Sequence, residues 1–351
     1  MKKLITIFAL LICSLLLFTG CTAPTPISYS ANWFKDGKFI GSKQTYTYTV
    51  KNIDGFKHSS YDYSKVDNDV VTVNYGVGEY TVILETVYDL DENYKPFTSS
   101  YAGSFKGFYK LTTFFNIDVT FVYKSGSYSF TDTITSTCWF NEVDYYLQPI
   151  FHTKSYNTTS LDKNYNIAHS AYTSTINYNN GNAELTILND SLVEAYPNDS
   201  KYSIVKATDA FQEVSYKNLG VIDNEELLFA VRCLPLAKDY AVSLNVFDTT
   251  HRKVKGVAVR VLAEEKVNTD LFKDNNFVVG GEPIIKEDGS IDTFVTSIVL
   301  NEKLAGSPKF CWYQKANKGL SDRALLVKFV DKLPNGLGAL EYTLTSVNLE
   351  V

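Results

Sequence analysis

The chain is 351 residues long, 45% apolar and 21% charged. That much apolar material supports a folded core and excludes bulk disorder. Its formal charge of −6, from 33 basic against 39 acidic residues, argues against binding built on phosphate contacts, so no nucleic-acid partner is expected.

In chain order, the first feature is Lys2-Lys3 followed by Leu4–Gly20, an uncharged run. Its length is marginal for a membrane span and suits the apolar region of a secretory signal. The run ends in Leu17-Phe18-Thr19-Gly20-Cys21. Small residues at the two positions before a cysteine resemble the lipobox of bacterial lipoproteins. The resemblance implies cleavage between Gly20 and Cys21, a diacylglycerol on the Cys21 thiol and an N-acylated new terminus. One departure is Phe18, where the family favours leucine. The competing reading is an ordinary cleaved signal or an uncleaved anchor, with Cys21 incidental. The expectation is therefore residues 1–20 as signal peptide and 21–29 as a lipidated, proline-bearing tether. It places the protein on the extracytoplasmic face of a bacterial cell membrane, with the membrane as a partner. No cofactor is expected beyond that covalent lipid. Removing Lys2 and Lys3 takes the charge from −6 to −8, which holds the body off an anionic surface.

Beyond the tether, 25 Tyr and 22 Phe against one Met favour strands, whose pleated faces suit aromatic side chains. Asp36-Gly37, Ser125-Gly126, Asn180-Gly181, Asp288-Gly289 and Asn335-Gly336 stand beside or between apolar-alternating runs. Such pairs tolerate positive φ and mark hairpins, so antiparallel sheet is expected throughout. Glu79–Val87, Phe105–Tyr123 (two strands or one long bent one), Tyr172–Tyr178, Tyr240–Phe247 and Val254–Leu262 read as strands. Between Tyr29 and Val351 roughly fifteen strands are expected. Asp223 with Glu226 three residues on forms a capping box, Leu227, Val231 and Leu234 share a face, and Pro235 stops the helix. A weaker helix is read over Thr208–Asn218. The predicted organisation is an N-terminal β part, 30–200, and a C-terminal β part with the helix, 201–351, with one continuous domain as the alternative.

Chemistry-bearing patterns are sparse. There is no Gly-x-Ser-x-Gly, no pair of histidines four apart among His58, His152, His169 and His251, and no phosphate-cradling glycine loop. Asp89-Leu-Asp91-Glu-Asn93 and Asp162-Lys-Asn164-Tyr-Asn166 begin like calcium loops. Each lacks the glycine at position six and the glutamate at position twelve, so both read as polar turns. Glu264-Glu265 and the loop carboxylates Asp62, Asp67 and Asp69 read as solvated surface. A separated glycosidase pair stays open. Cys138, Cys233 and Cys311 have apolar neighbours and read as small buried hydrophobes, a single disulfide being the alternative. The few arginines (Arg232, Arg252, Arg260, Arg323) read as surface ion-pair partners. The aromatic excess reads as core and cross-strand pairs rather than an exposed sugar platform. No catalytic and no metal-binding residue is assigned.

From about Tyr145 onward, the order Tyr146-Leu147-Gln148-Pro149, two hairpin strands to Leu188, the helix Asn224–Leu236, strands Tyr240–Phe247 and Val254–Glu264, then Cys311-Trp312-Tyr313, Ala324–Val330 and Leu340–Val347 resembles an exported bacterial family known only as a domain of unknown function. Its style is similar to the half-barrels of lipoprotein carriers. The resemblance implies a concave apolar face and brings no catalytic residues.

The fold expected is all-β, with large curved antiparallel sheets, a half-barrel or open barrel, and one short helix. The function expected is a non-catalytic envelope lipoprotein binding an apolar or lipid-like ligand in the concave face. The alternatives are a surface glycan-binding or adhesion module and a purely structural protein. No residue is singled out for the ligand.

Overall fold

The computed structural model describes residues 43–66, 68–87, 108–143, 146–179, 181–190, 200–207, 210–216, 220–249, 251–268, 278–279, 282–283, 289–300, 307–315 and 324–350. Its strands are β1 (Lys43–Ile53), β2 (Lys57–His58), β3 (Tyr61–Asp62), β4 (Val71–Tyr75), β5 (Gly78–Val87), β6 (Phe108–Tyr123) and β7 (Gly126–Val143). There follow β8 (Tyr146–Leu161), β9 (Ile167–Asn179), β10 (Asn182–Asn189), β11 (Tyr202–Ile204), β12 (Ala210–Ser215) and β13 (Val221–Asp223). After helix α1 (Leu227–Arg232) come β14 (Ala241–Asp248), β15 (Lys253–Asn268), β16 (Val278–Val279), β17 (Glu282–Pro283), β18 (Ser290–Leu300), β19 (Lys309–Gln314), β20 (Leu326–Lys332) and β21 (Ala339–Glu350).

Seventeen of these strands form one sheet, antiparallel except where β11 joins β9 and β13 joins β14. The pairing runs β12-β10-β9-β8-β7-β6-β5-β1-β21-β20-β19-β18-β15-β14-β13. The first and last strands, β1 and β21, thus meet in the middle, and both halves of the chain belong to the same sheet.

The sheet is strongly curved, and one helix proves it. Lys154 on β8 reaches Glu225 at 2.5 Å, while the Tyr313 hydroxyl on β19 donates to Leu228 O at 3.0 Å. Seven strand spacings separate β8 from β19, about 34 Å if the sheet were flat. Residues 225 and 228 lie within one turn of each other, so the sheet must wrap around them. Its two ends also approach. Tyr178 of β9 packs on Phe247 of β14 with ring centroids 6.0 Å apart, and Gln212 Nε2 on β12 donates to Arg252 O at 3.4 Å. β12 is in register with β10 and β13 with β14, and no β12–β13 register closes the barrel among the described residues.

Alternation decides what faces inward. On β1, Gln44, Tyr46, Tyr48 and Val50 are buried and their neighbours only partly so. Tyr46, Tyr48 and Val50 join Leu84, Leu111 and Leu344 and the helix residues Phe229 and Val231 in the main core. A smaller cluster of Tyr63, Val295, Phe310 and Trp312 lies under the β2–β3 hairpin. Each buried aromatic or branched side chain contributes roughly 1.5–3 kcal/mol.

The turn signals fall where strands reverse. Asn335 and Gly336 both adopt positive φ, 55° and 71°, between β20 and β21. Gly181 follows β9, Gly126 opens β7, and Gly289 precedes β18; Asp36-Gly37 lies outside the described residues. Phe105–Tyr123 resolves into one long strand, β6, whose two halves pair with β5 and β4. At the junction stands Gly78, where a Cβ would lie 2.3 Å from Asn116 O. The helix starts as read. Asp223 Oδ1 accepts from Glu225 N at 2.8 Å, a 3-10 turn spans Asn224–Glu226, and Leu227, Val231 and Leu234 are buried.

One element is corrected. The described part of Thr208–Asn218 is strand β12, not helix. The edge of β10 offers it a backbone ladder from Asn182↔Ser215 to Ile187↔Ala210, which outweighs a weak helical pattern. The roughly fifteen strands expected become twenty-one among the described residues, several of them only two or three residues long.

Candidate functional site

Inside the curve lies a cavity of about 510 Å³, within the range of ordinary small-molecule sites. Strands β4 to β8 supply one wall, with Tyr75, Phe115 and Ile134; β20 and β21 supply the other, with Phe329 and Tyr342; the helix start closes it with Glu225 and Leu228. Phe329 and Tyr342 stack on each other at 4.0 Å between centroids, giving that wall an aromatic pair. The wall is not purely apolar, because Asp132, Lys154, Glu225, Lys309 and Asp331 also reach it.

Four of these five charges are matched. Lys154 Nζ meets Glu225 Oε1 at 2.5 Å, and Lys309 Nζ meets Asp331 Oδ2 at 3.0 Å. Burial pushes the Glu225 carboxyl up, but Lys154 overrides it and holds the group at about 2. Burial likewise opposes charge on Lys154 and Lys309, and their carboxylate partners raise both above the usual lysine range.

Asp132 differs. It sits on the inner face of β7 opposite Ile117 and is 7% exposed. Its Oδ1 accepts from Thr159 N at 2.9 Å and Thr159 Oγ1 at 2.8 Å. No lysine or arginine pairs with it among the described residues. Burial lifts its carboxyl to about 6, against the lowering effect of the two Thr159 hydrogen bonds.

Beneath the cavity is a sealed polar floor. Ser136 Oγ lies 3.3 Å from His152 Nε2, and His152 Nδ1 lies 3.0 Å from Asp223 Oδ2. The Tyr178 hydroxyl donates to the same Asp223 oxygen, and Cys138 Sγ donates to Glu226 Oε1 at 3.3 Å. The order serine–histidine–aspartate is that of a hydrolase triad. Ser136, however, is 2% exposed and also hydrogen-bonds the Glu225 carboxylate, so it presents no nucleophile to the cavity. Burial, with Asp223 close by, pushes Glu226 well above the carboxylate range.

Other residues singled out in the sequence lie elsewhere. Gly20 and Cys21, the Asp89 loop and Asp67 are outside the described residues. Cys138, Cys233 and Cys311 are buried free thiols. Asp162 accepts from the backbone N–H groups of Asn164 and Asn166, at 2.7 and 2.9 Å, which spends its carboxylate on the turn. Asp62 pairs with Lys57 at 2.9 Å, Glu264 with Lys315 at 2.6 Å, and Glu265 accepts from Trp312 Nε1 at 2.8 Å. Arg232 corrects the surface ion-pair reading: it is buried, its guanidinium 5.0 Å from the Tyr46 ring centroid. His169 bonds Tyr202 and Asn157, and His251 bonds Asp248.

The sequence reading missed Asp132, Lys154, Lys309 and His152 as members of one site. The available signal was an aspartate in the period-two run Tyr128, Phe130, Asp132, Ile134, where every neighbour on that face is apolar.

No protein-family model matches the chain, and no curated protein does. Among solved structures, it is similar to a β-barrel-like protein of a domain of unknown function, DUF1849, from Brucella abortus. That likeness covers 88% of this chain and 97% of the other, at 9% sequence identity and a TM-score of 0.42.

Proposed function

We propose that this chain is a lipid-anchored extracytoplasmic protein, attached to a bacterial membrane through Cys21, that holds an amphiphilic envelope molecule in its concave cavity without acting on it chemically. The observation that carries the reading is the cavity of about 510 Å³ walled by stacked aromatics and aliphatics, with a few buried polar groups. A purely structural protein would have filled that space, since interiors otherwise pack to crystal-like density. The anchor rests on Thr19-Gly20-Cys21. No helix among the described residues is long and apolar enough to cross a membrane.

The glycan-platform alternative calls for coplanar exposed aromatics. Among the described residues, the exposed aromatic rings Tyr61, Phe114, Tyr165 and Phe211 are instead scattered over separate elements, which favours the cavity. The test is native mass spectrometry of the mature chain, Cys21–Val351, purified from a bacterial host, followed by organic extraction. A stoichiometric adduct that is lost on denaturation and partitions into the organic phase is the expected result. A clean apo mass, with no binding when envelope lipid extract is added back, would sink the proposal.

A further inference from the structure

We propose that the cavity takes an amphiphile with a primary alkylammonium head, the ammonium seating against the free oxygen of Asp132 and the chain lying along the Phe329–Tyr342 wall. This rests on the cavity reading above and adds the chemistry of the head group.

Charge matching inside the cavity carries the argument. Lys154 and Lys309 already hold carboxylates, at 2.5 and 3.0 Å. An anionic head would have to displace Glu225 or Asp331 and leave that carboxylate unpaired in a desolvated place, which is strongly unfavourable. A cationic head needs no displacement. Asp132 is more than nine-tenths buried, lines the cavity, and has only one of its oxygens engaged, by Thr159. Counted over the described lining, two lysines face three carboxylates, which leaves one negative charge for a ligand to neutralise.

The surroundings of Asp132 fit the rest of such a ligand. Ile117 stands directly opposite on β6, and Ile134 follows two residues along on the same face of β7. Tyr75, which lines the same cavity as Asp132, supplies an aromatic partner for a cation. The floor beneath is closed to a ligand, since Ser136, His152 and Asp223 are buried and close on one another, at 3.3 Å from Ser136 to His152 and 3.0 Å from His152 to Asp223.

A pH dependence follows. The groups facing Asp132 are Thr159 on β8, which does not titrate, Ile117 on β6, and Tyr75 on β4, whose hydroxyl burial keeps protonated. The nearby Lys154–Glu225 pair keeps its charges, with Glu225 held at about 2. Acid therefore acts on the head-group site through Asp132, and the ammonium preference should fade as the pH falls below about 6.

The test is calorimetric titration of the mature chain with decylamine, decanol and decanoate, all below their micelle concentrations. At about pH 7.5 decylamine is expected to bind roughly tenfold to a hundredfold more tightly than decanol, and decanoate more weakly than either. Asp132→Asn should abolish the decylamine preference while decanol affinity stays within about twofold. The wild-type chain supplies a second readout that needs no variant to fold: its decylamine-to-decanol ratio should collapse between about pH 7.5 and about pH 5. If decanol binds and decylamine binds no better, or the preference survives Asp132→Asn or the acid titration, the head-group assignment is overturned and the cavity reading stands. If none of the three binds, the cavity reading fails and this assignment fails with it.

Discussion

Asp132 and Glu226 are both buried acidic side chains inside the same curved sheet, and they live differently. Glu226 is 0% exposed, sealed beneath the helix start, with Cys138 donating to it and Asp223 beside it. Asp132 is also buried, though 7% exposed, and opens on a cavity that can admit a ligand. Burial raises both. The difference is what each can do about it. Glu226 resolves its cost by keeping its proton, as a neutral member of a closed network. Asp132, lifted only to about 6, is ionised at neutral pH with no cation to offset it. An uncompensated buried charge at the wall of a cavity marks the place where the fold gives up stability, and such places are enriched at binding sites.

The sharpest way to break this contrast is to remove the closed floor. Asp223 caps the helix, faces His152 and accepts from Tyr178, so Asp223→Ala strands three groups at once. The expected loss is about 4–5 kcal/mol, read as a lower urea midpoint at unchanged slope. Next comes Lys154→Met, which leaves Glu225 buried without its cation. It should cost about 3–4 kcal/mol, and most of that should return in the Lys154→Met/Glu225→Gln double variant. A floor that tolerated Asp223→Ala would not be the sealed, mutually dependent network described above.

The third variant should stabilise. In the folded chain Asp132 holds its proton up to about 6, whereas in the unfolded chain it loses it near 4. Between those values the folded state binds more protons. The contribution is therefore full below the unfolded value and is lost as the pH rises through about 6. Asp132→Asn should remove that loss, raising stability by about 2–3 kcal/mol at about pH 7.5 and by almost nothing at about pH 4. Glu226→Gln sharpens the comparison. Because Glu226 stays protonated well above the carboxylate range, the gain from replacing it should keep growing with pH after that of Asp132→Asn has levelled off. Thermal unfolding of both variants across a pH series measures this, and two parallel curves would mean the carboxyls are not different in kind.

Much of the fold was legible because its causes are local. Asn335-Gly336 reverses the chain since both residues adopt positive φ, and Asp223 with Glu226 marks a helix start since three-residue spacing is what capping needs. The strand β12 was not legible, because what makes it a strand is the edge of β10 rather than its own pattern. The site was less legible still. Thr159 lies 27 residues from the Asp132 it bonds, brought there by the β7–β8 register, and the Phe329–Tyr342 wall reaches the cavity only because the sheet curls around a short helix. Register and curvature are sums over many pairings, and no single spacing encodes them.

The smallest effect should come from Thr159→Val, and it isolates Asp132 without touching its carboxyl. The substitution keeps the backbone N–H bond at 2.9 Å and deletes the hydroxyl bond at 2.8 Å. Both bonds lower the Asp132 pKa, so losing one should move it upward from about 6. The stability loss at about pH 7.5 should be only about 1–2 kcal/mol, the worth of one hydrogen bond to a charged group, and should shrink in acid where the carboxyl is neutral. The pH at which the decylamine preference fades should rise in step, while Thr159→Ser, which restores the donor, should return both readouts towards the wild type. Glu226 has no contact with Thr159 and its titration should not move. If the fading pH stays fixed while stability falls, Thr159 is only packing and Asp132 is not the group that the ligand feels.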